Sequence, residues 1–437
     1  KGTFTSRDQD NNLVEIGGTN RQQAAIYLSP LIDPDDNFNP YYGNGTPFNT
    51  PTALIEQNTN NTKRFSSSHT VAFEVELAKN LKLRSQESYY NSERHIYRYY
   101  PSTLPKKNEG EGGEAYRNEY NENSLSSENT LSWNLETKSG HNLNMLGGFT
   151  ASRSKSLALS GSGYMDDEVK WDNMGAVLDK ETYSASSGSV KLTKISYLAR
   201  INYNYKHRYY LTVTGRFDGA SNFAANNKWG FFPSAAVKWN VSNEAFLKDV
   251  SWIDDLSLRL SAGRTGNDAI SAYRSLAAMS STTGGYLFSG SQPVAYYRSR
   301  LDSPNLTWEK TALYNVALDV ALFRNRLSVT AEGYISKTHD LLMAIQTPTA
   351  TGYSSRNANL GKTTNKGWEL SIESRNIVTP KFSWTTNLTF AHNEQTVNDI
   401  GSEKFVIASK SPNTGYMMHG YVKGYPLNAL WGFRYGG

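Results

Sequence analysis

The sequence contains no cysteine, which excludes disulfide frameworks and thiolate metal sites. It also lacks any run of about 18 consecutive apolar residues, the length that a membrane-spanning helix needs. Apolar runs such as residues 341–345 are much shorter, so hydropathy alone would classify the chain as soluble. The net charge of +5 is small, and the basic residues are interleaved with acidic ones. Such a distribution does not indicate a nucleic-acid-binding protein.

What the sequence does have is alternation with a period of two, clearest in residues 190–240. One face carries Ile195, Tyr197, Ala199, Ile201 and Tyr203, and after a turn at residues 205–208 it continues with Tyr209, Leu211, Val213, Gly215 and Phe217. The intervening positions are almost all polar, with Leu198 as the exception. Successive strand residues point to opposite faces, so each strand has one apolar and one polar side. A sandwich core would not tolerate so many unpaired polar groups. The pattern is typical of a transmembrane β-barrel. In such a barrel the polar residues that face the interior lower the mean hydropathy of every sequence window, so a hydropathy scan does not detect the strands.

The connections between these strands alternate between short and long. Short turns are predicted at residues 79–80, 138–141, 205–208, 323–326 and 378–380. Long polar connections are predicted at residues 1–66, 101–120, 156–189, 218–227, 265–305, 338–364 and 393–428. One partial exception is the segment 241–255, where residues 243–249 could hold a single helical turn on the short-turn side. In outer-membrane barrels short turns face the periplasm and long loops face outside.

The number of alternating segments predicts an all-β protein with about 12–13 antiparallel strands. No signal peptide follows Lys1, and the last residues read as the middle of a strand. We therefore expect residues 1–437 to be part of one larger β-barrel domain.

Several sequence segments closely resemble the barrel of SusC/RagA-type TonB-dependent outer-membrane transporters. They occur in the expected order at residues 196–206, 216–223, 228–236, 255–267, 306–310, 337–342, 365–370 and 424–427. Each segment is weak evidence alone, but eight in order over residues 196–427 form a strong signal. Residues 1–190 share the hairpin pattern but have fewer recognisable segments.

The resemblance implies a barrel of about 22 strands in the bacterial outer membrane, with an N-terminal plug domain. It implies energised import of a nutrient, either an oligosaccharide or a peptide. The implied partners are a SusD-like surface lipoprotein that acts as a lid and the TonB–ExbB–ExbD energising complex. The plug, the TonB-contacting segment and the last strands have no counterpart in residues 1–437.

The residues themselves predict no catalytic site and no metal site. The seven histidines are dispersed, and no pair has the spacing of metal ligands. Glycine-rich residues 110–113 lack the lysine of a phosphate-binding loop. Residues 33–36, Asp-Pro-Asp-Asp, could contribute to a loop Ca²⁺ site, although an ordinary solvated turn explains them more simply. We expect no other cofactor and no enzyme activity.

Aromatic side chains in the long loops are the candidate substrate contacts, because sugar rings stack on aromatic faces. They are Tyr99, Tyr100, Trp171, Tyr286, Tyr296, Tyr297, Tyr353 and Tyr416. An aromatic girdle at headgroup level, or packing within the loops, would explain the same residues. The aromatics Tyr197, Tyr203, Trp239, Trp308, Trp368 and Trp384 are expected to face lipid and to be structural.

Charged residues on the polar face of the strands are the second set of candidates. They are Arg200, Arg216, Lys238, Arg259, Glu309, Asp319, Glu332, Glu369, Glu373 and Arg375. In a plugged barrel, most such residues would bond the plug or one another, and a minority would line a substrate path. The sequence does not separate the two roles.

Two other functions are compatible with a β-rich chain. A passive porin without a plug would share the barrel wall, but it is disfavoured by the ordered segments. A surface β-rich adhesin would not need an apolar face over about 10 residues of each strand.

Overall fold

The computed structural model describes residues 2–10, 38–39, 48–49, 56–104, 112–247, 249–283, 293–353, 355–401, 405–410, 417–427 and 429–432. Strands dominate this part of the chain. They are β1 Gly2–Asp10, β2 Phe38–Asn39, β3 Phe48–Asn49, β4 Thr59–Ala78, β5 Leu81–Tyr100, β6 Gly113–Glu136, β7 His141–Met165, β8 Ser184–Tyr205, β9 Tyr209–Ala220, β10 Trp229–Asn240, β11 Ile253–Asn267, β12 Ala278–Thr283, β13 Val294–Arg300, β14 Glu309–Leu322, β15 Leu327–His339, β16 Leu342–Gln346, β17 Ser355–Asn359, β18 Lys362–Val378, β19 Ser383–Asp399, β20 Phe405–Lys410 and β21 Met417–Val422.

Thirteen strands form one sheet in the order β1-β4-β5-β6-β7-β8-β9-β10-β11-β14-β15-β18-β19. From β4 onward, each strand of this sheet pairs with the next such strand along the chain. The remaining strands form two-stranded sheets: β2 with β3, β12 with β13, β16 with β17, and β20 with β21. None of the helices among the described residues is long and apolar enough to span a membrane. The predicted all-β, antiparallel architecture is confirmed.

The Cα positions group into two compact units. The first comprises Lys1–Ala72, Gln86–Ser127 and Ser152–Lys191, and the second comprises Phe73–Ser85, Glu128–Ala151 and Leu192–Gly437. In the first unit, β1 pairs antiparallel with the first half of β4, Gly2 opposite His69 and Asp10 opposite Asn61.

In the second unit, the strand register carries the apolar face from one strand to the next. One row across seven strands consists of Tyr203, Leu211, Val237, Leu260, Val316, Gly333 and Trp368. The neighbouring row on the opposite face consists of Asn202, Thr212, Ala236, Ser261, Asn315, Tyr334 and Gly367. A slip of one residue in any pair would exchange the two faces, so the alternation fixes the register. The predicted assignment of faces is confirmed here.

The short turns lie where the sequence predicts them. Lys206 and His207 have positive φ between β8 and β9, and three consecutive residues from Phe323 do so between β14 and β15. The segment after β10 holds two short 3-10 helices, Val241–Asn243 and Ala245–Leu247, where the sequence indicated one helical turn.

The strands run further into the long connections than predicted. Strand β1 lies within the predicted connection 1–66, β7 extends to Met165, and β8 begins at Ser184. The connections 265–305 and 338–364 contain the hairpins β12–β13 and β16–β17. Backbone pairing continues in these segments, but apart from Leu157 and Leu159 in β7 they show little alternation of large apolar and polar side chains, so a period-two pattern does not reveal them.

One aromatic residue was assigned to the wrong face. Trp308 was expected to face lipid, but it is only 5% exposed and packs in a buried cluster. Tyr197, Trp239, Trp368 and Trp384 lie on the exposed apolar face as predicted. Trp308 directly precedes β14, so no alternation exists there to assign its direction.

Candidate functional site

The long connections of the second unit meet in a buried cluster, which we call the loop hub. It consists of Ala220, Phe223, Phe232, Leu306 and Trp308. The ring centroids of Phe223 and Trp308 are 5.0 Å apart, and those of Phe232 and Trp308 are 5.3 Å apart at 66°. These are ordinary aromatic packing geometries that stabilise beyond the area buried. The hub joins residues from the β9–β10 and β11–β14 connections, which lie about 80 residues apart.

Hydrogen bonds to backbone carbonyl groups hold the hub together. Trp308 Nε1 donates to the Lys228 carbonyl oxygen at 2.9 Å. Asn222 is buried, and its Nδ2 donates to the carbonyl oxygens of Asp268 at 2.9 Å and Ile270 at 3.2 Å. Buried donors that find such partners avoid the cost of desolvation without compensation.

Asn359 attaches the β15–β18 connection to the same assembly. Its Nδ2 donates to the carbonyl oxygens of Thr307 at 2.7 Å and Asp340 at 2.9 Å, and its Oδ1 accepts from the Thr307 amide at 2.7 Å. Close by, Ser303 Oγ donates to the Asn357 carbonyl oxygen at 2.6 Å. The side-chain amide of Asn359 therefore links the β11–β14 connection to the β15–β18 connection through hydrogen bonds to backbone groups.

Glycine leaves room for the hub rings. A Cβ atom at Gly230 would lie 2.5 Å from Cζ of Phe232 and 3.2 Å from Cδ1 of Trp308. A Cβ atom at Gly266 would overlap the Phe232 ring. These close approaches explain why glycine occupies the second position of β10 and the penultimate position of β11, although glycine otherwise weakens a strand.

Beside the hub lies an open cavity of about 790 Å³, which we call the arginine cavity. Its walls come from the segments around the hairpins β12–β13 and β16–β17. The side chains that distinguish it are Arg274, Arg298, Arg300, Arg356, Tyr297 and Tyr353. No Asp or Glu occurs among the described residues that line it. The volume is in the range of small-ligand sites.

Arg300 anchors the wall of the cavity. Its Nη2 donates to the carbonyl oxygens of Tyr273 at 2.8 Å and Leu276 at 3.2 Å. Burial, together with the nearby charge of Arg274, lowers the pKa of the Arg300 guanidinium. An arginine remains protonated despite such a shift, so the cavity keeps its positive charge at neutral pH.

Two of the predicted loop aromatics, Tyr297 and Tyr353, line the arginine cavity. Tyr296 is the neighbour of Tyr297 in β13, so it points to the opposite side, and it is 74% exposed. Tyr286 and Tyr416 lie outside the described residues, as do residues 33–36 with the suggested Ca²⁺ ligands. Within the described part of the chain, no group of three or more His, Asp or Glu could hold a metal ion.

The other predicted aromatics lie in the first unit and form packing contacts. Tyr99 and Tyr100 are 2% and 1% exposed, and Tyr99 packs with Met165 and Trp171. The Tyr99 hydroxyl donates to the carboxylate of Asp167, to which the Ser102 amide also donates at 3.0 Å. In this arrangement the rings of Tyr99 and Tyr100 hold the loop and present little open surface.

The predicted charged residues share the polar face of the second unit, but they do not converge on one site. Arg259 donates to both oxygens of Asp319, at 2.7 and 3.1 Å, and its Nη2 lies 4.0 Å from Glu332. Glu309 accepts from the Leu342 amide at 3.1 Å, which ties down β16. The others sit along the face in local contacts or pairs: Arg200 with Thr214, Arg216 with Asp218, Lys238 opposite Arg259, Glu369 opposite Glu332, and Arg375 with Glu373.

Sequence reasoning missed the cavity arginines. They come from two loops, and no spacing within one segment indicates that they meet. A charge signal was nevertheless present. Residues 269–301 and 341–361 contain no Asp or Glu, and all their Arg residues line the cavity.

Comparisons with known proteins define the class. Residues 3–437 match the family described as TonB dependent receptor-like, beta-barrel. The chain is 32% identical over 409 residues to TonB-dependent receptor P26 of Formosa agariphila, covering 91% of this chain and 40% of that protein. It is 35% identical over 268 residues to TonB-dependent receptor SusC of Bacteroides thetaiotaomicron, covering 59% of this chain and 26% of that protein.

A solved structure, that of the RagAB peptide transporter, superimposes with a TM-score of 0.79 at 22% identity. The match covers 90% of this chain and 42% of that one, and it concerns the fold. The chain belongs to the TonB-dependent receptor β-barrel family, whose place is the bacterial outer membrane. It spans about two fifths of the length of the first relatives. In such a barrel the apolar face meets lipid and the polar face meets the interior.

Proposed function

We propose that this chain forms barrel wall and outer loops of an energised nutrient importer of the SusC/RagA type. The substrate is an oligosaccharide or a peptide, and the partners are a SusD-like surface lipoprotein and the TonB–ExbB–ExbD complex. A plug domain and further strands complete the barrel. The family match over residues 3–437 is the observation that supports this most strongly. Import of this kind involves no catalytic step on the nutrient.

The organisation of the long loops supports a role in capture. The loop hub ties three long connections together, and the arginine cavity opens beside it with a polar wall. Binding sites are often carried by loops that a rigid scaffold positions. A passive pore would not need a built cavity among its outer loops.

The test uses the protein expressed from its complete gene in its own host. Uptake of the cognate nutrient should stop when TonB is deleted and return when TonB is restored. Purification in mild detergent should recover a lipid-anchored partner in stoichiometric amount. Uptake that continues unchanged without TonB, with no partner recovered, would instead establish the passive porin.

The orientation of the loops has its own test, because the chain contains no cysteine. A membrane-impermeant thiol reagent applied to intact cells should label Ser281→Cys in β12 and should not label His207→Cys in the β8–β9 turn. Both side chains are exposed, so accessibility alone does not distinguish them. Labelling of His207→Cys alone would reverse the assignment of the two rims.

A further inference from the structure

The two loops that form the arginine cavity carry charge of one sign. Residues 269–301 contain Arg274, Arg298 and Arg300 and no acidic residue, and residues 341–361 contain Arg356 and no acidic residue. Over the whole chain, acidic residues are nearly as frequent as basic ones, 40 against 45. The cavity is therefore locally cationic in a chain whose charges otherwise nearly balance.

Most of the guanidinium groups in the cavity are available to a ligand. Among the described residues, neither Arg274 nor Arg356 has a hydrogen-bond or ion-pair partner. Arg298 has one distant partner, with its Nη2 3.8 Å from Asp302 Oδ1, and its side chain is 53% exposed. Only Arg300 is used structurally, through its bonds to backbone carbonyl groups. Like charges held together cost free energy, and an anion between them removes that cost.

The walls also fix the shape of what can bind. Tyr297 is half exposed, and Tyr353 lines the same cavity from the other loop. Flat tyrosine faces accept the C–H faces of sugar rings, and each hydroxyl offers a hydrogen bond at the edge. The guanidinium fork matches sulfate and carboxylate oxygens, which it binds through two parallel hydrogen bonds.

We propose that the arginine cavity binds an anionic oligosaccharide, with sulfate or carboxylate groups of the sugar held by Arg274, Arg298 and Arg356 and a sugar ring against Tyr297. This inference rests on the proposed import function and specifies its substrate class. An acidic peptide shares the negative charge, but strand addition or deep side-chain pockets are the usual modes of extended peptide recognition. The mainly polar wall of the cavity favours a sugar.

The experiment measures binding by isothermal titration calorimetry, using the detergent-solubilised protein made from its complete gene. The probes are a sulfated chondroitin tetrasaccharide, a tetragalacturonate, neutral maltotetraose and tetraglutamate. The two charged sugars should bind, with affinity falling as salt is raised because the contacts are partly exposed. Arg274→Gln combined with Arg356→Gln should weaken their binding by roughly tenfold to a hundredfold, as loss of charged hydrogen bonds predicts.

The matched control is Arg153→Gln, which removes an exposed arginine on β7 in the other unit. It should leave binding unchanged, and circular dichroism should show that every variant is folded. Equal binding of maltotetraose, or charged-sugar binding unaffected by the double substitution, would overturn the inference. Binding of tetraglutamate in preference to both charged sugars would overturn the inference and indicate that the ligand of the cavity is an acidic peptide.

Failure of this inference is distinguishable from failure of the import function. Calorimetry needs neither TonB nor a membrane potential, so it reports on the cavity alone. Charged-sugar binding without TonB-dependent uptake would contradict the import function and support the anionic-sugar site. TonB-dependent uptake of a neutral nutrient, unaffected by the double substitution, would support the import function and contradict the anionic-sugar site.

Discussion

The loop hub and the arginine cavity are built from overlapping long connections, but they use their polar groups differently. At the hub, Trp308 Nε1 donates to a backbone carbonyl oxygen, and so does Nδ2 of the neighbouring buried Asn222, whose Oδ1 has no partner in the described part of the chain. In the cavity, Arg274 and Arg356 have no such partner among the described residues. Paired and buried groups stabilise a fold, whereas exposed unpaired charges do little for stability and suit a ligand. The hub is therefore the scaffold and the cavity is the surface that it presents.

The largest effect should follow from removing the central ring of the hub. Trp308→Ala deletes a side chain that is 5% exposed and packs against Phe223 and Phe232. It should lower the free energy of unfolding by about 3–5 kcal/mol, as for other buried aromatic truncations. Urea titration of the protein in lipid vesicles measures this.

The comparison variant for Trp308→Ala is Tyr297→Ala in the cavity wall, which is half exposed. Its cost should stay within about 0.5 kcal/mol, as for other surface substitutions. Equal costs at the two positions would show that hub and cavity do not differ in the way described.

A smaller loss is expected when the hub is overfilled. Gly230→Val adds atoms where Cζ of Phe232 already lies 2.5 Å from an ideal Cβ position. The ring is enclosed by Trp308 and cannot move freely, so the cost should be about 1–3 kcal/mol. Gly147→Val is the matched strand substitution, because nothing lies within 4 Å of a Cβ there. If both variants unfold at the wild-type urea concentration, the hub is looser than its packing indicates.

The faces of the strands and the short turns between them could be predicted from the sequence. The alternation in residues such as Leu211 and Thr212 fixed which side chain lies on each face, because period two is a direct consequence of strand geometry. The turns at residues 206–207 and 323–325 could be predicted from the sequence equally well. Strand β1 could not be predicted, because Gly2–Asp10 has Phe4 as its only large apolar residue and shows no alternation, and its partner in β4 is more than 50 residues away.

The sites were less predictable than the strands. Tyr297 and Tyr353 were identified as loop aromatics, but the same criterion selected Tyr99 and Tyr100, which are buried. Amino-acid composition does not show whether the ring of a loop aromatic packs in the protein interior or stays exposed to solvent. The cavity arginines meet only because two hairpins fold beside each other, a tertiary fact that no local spacing encodes.

The attachment of the β15–β18 connection can be tested separately. Asn359→Ala removes the bonds to the Thr307 backbone and the Asp340 carbonyl oxygen, and should cost about 1–3 kcal/mol. Its local effect should be faster hydrogen exchange at the Thr307 amide, measured by mass spectrometry. Asn357→Ala is the neighbouring control, since Ser303 bonds to the backbone of Asn357 and not to its side chain. Unchanged exchange at Thr307 would mean that Asn359 does not join the two connections.

The smallest expected effect is on the pH dependence of stability, and it distinguishes the loop hub from the opposite end of the strands, where the short turns lie. Glu244 lies between the two 3-10 helices after β10 and accepts from Tyr209 Oη at 2.6 Å, Trp239 Nε1 at 3.1 Å and Arg208 Nη1 at 3.2 Å. The hydrogen bonds from Tyr209 and Trp239, with the charge of Arg208, lower the pKa of the Glu244 carboxyl below its usual 4.5. The hydrogen bonds of the hub described above involve no titrating side chain.

The direction of the pH effect follows from that lowered pKa. The stabilisation by Glu244 is complete above the pKa of the unfolded chain and is lost as the pH falls through the lower pKa of the folded state. As the pH falls below the usual glutamate pKa of 4.5, wild type should therefore lose a contribution that Glu244→Gln no longer has, and the variant should show a flatter stability curve. Asn359→Ala should keep the wild-type pH slope, because it removes no titrating group. Thermal unfolding at several pH values measures all three. An unchanged slope in Glu244→Gln would show that the carboxylate is not held in its charged form by these three donors.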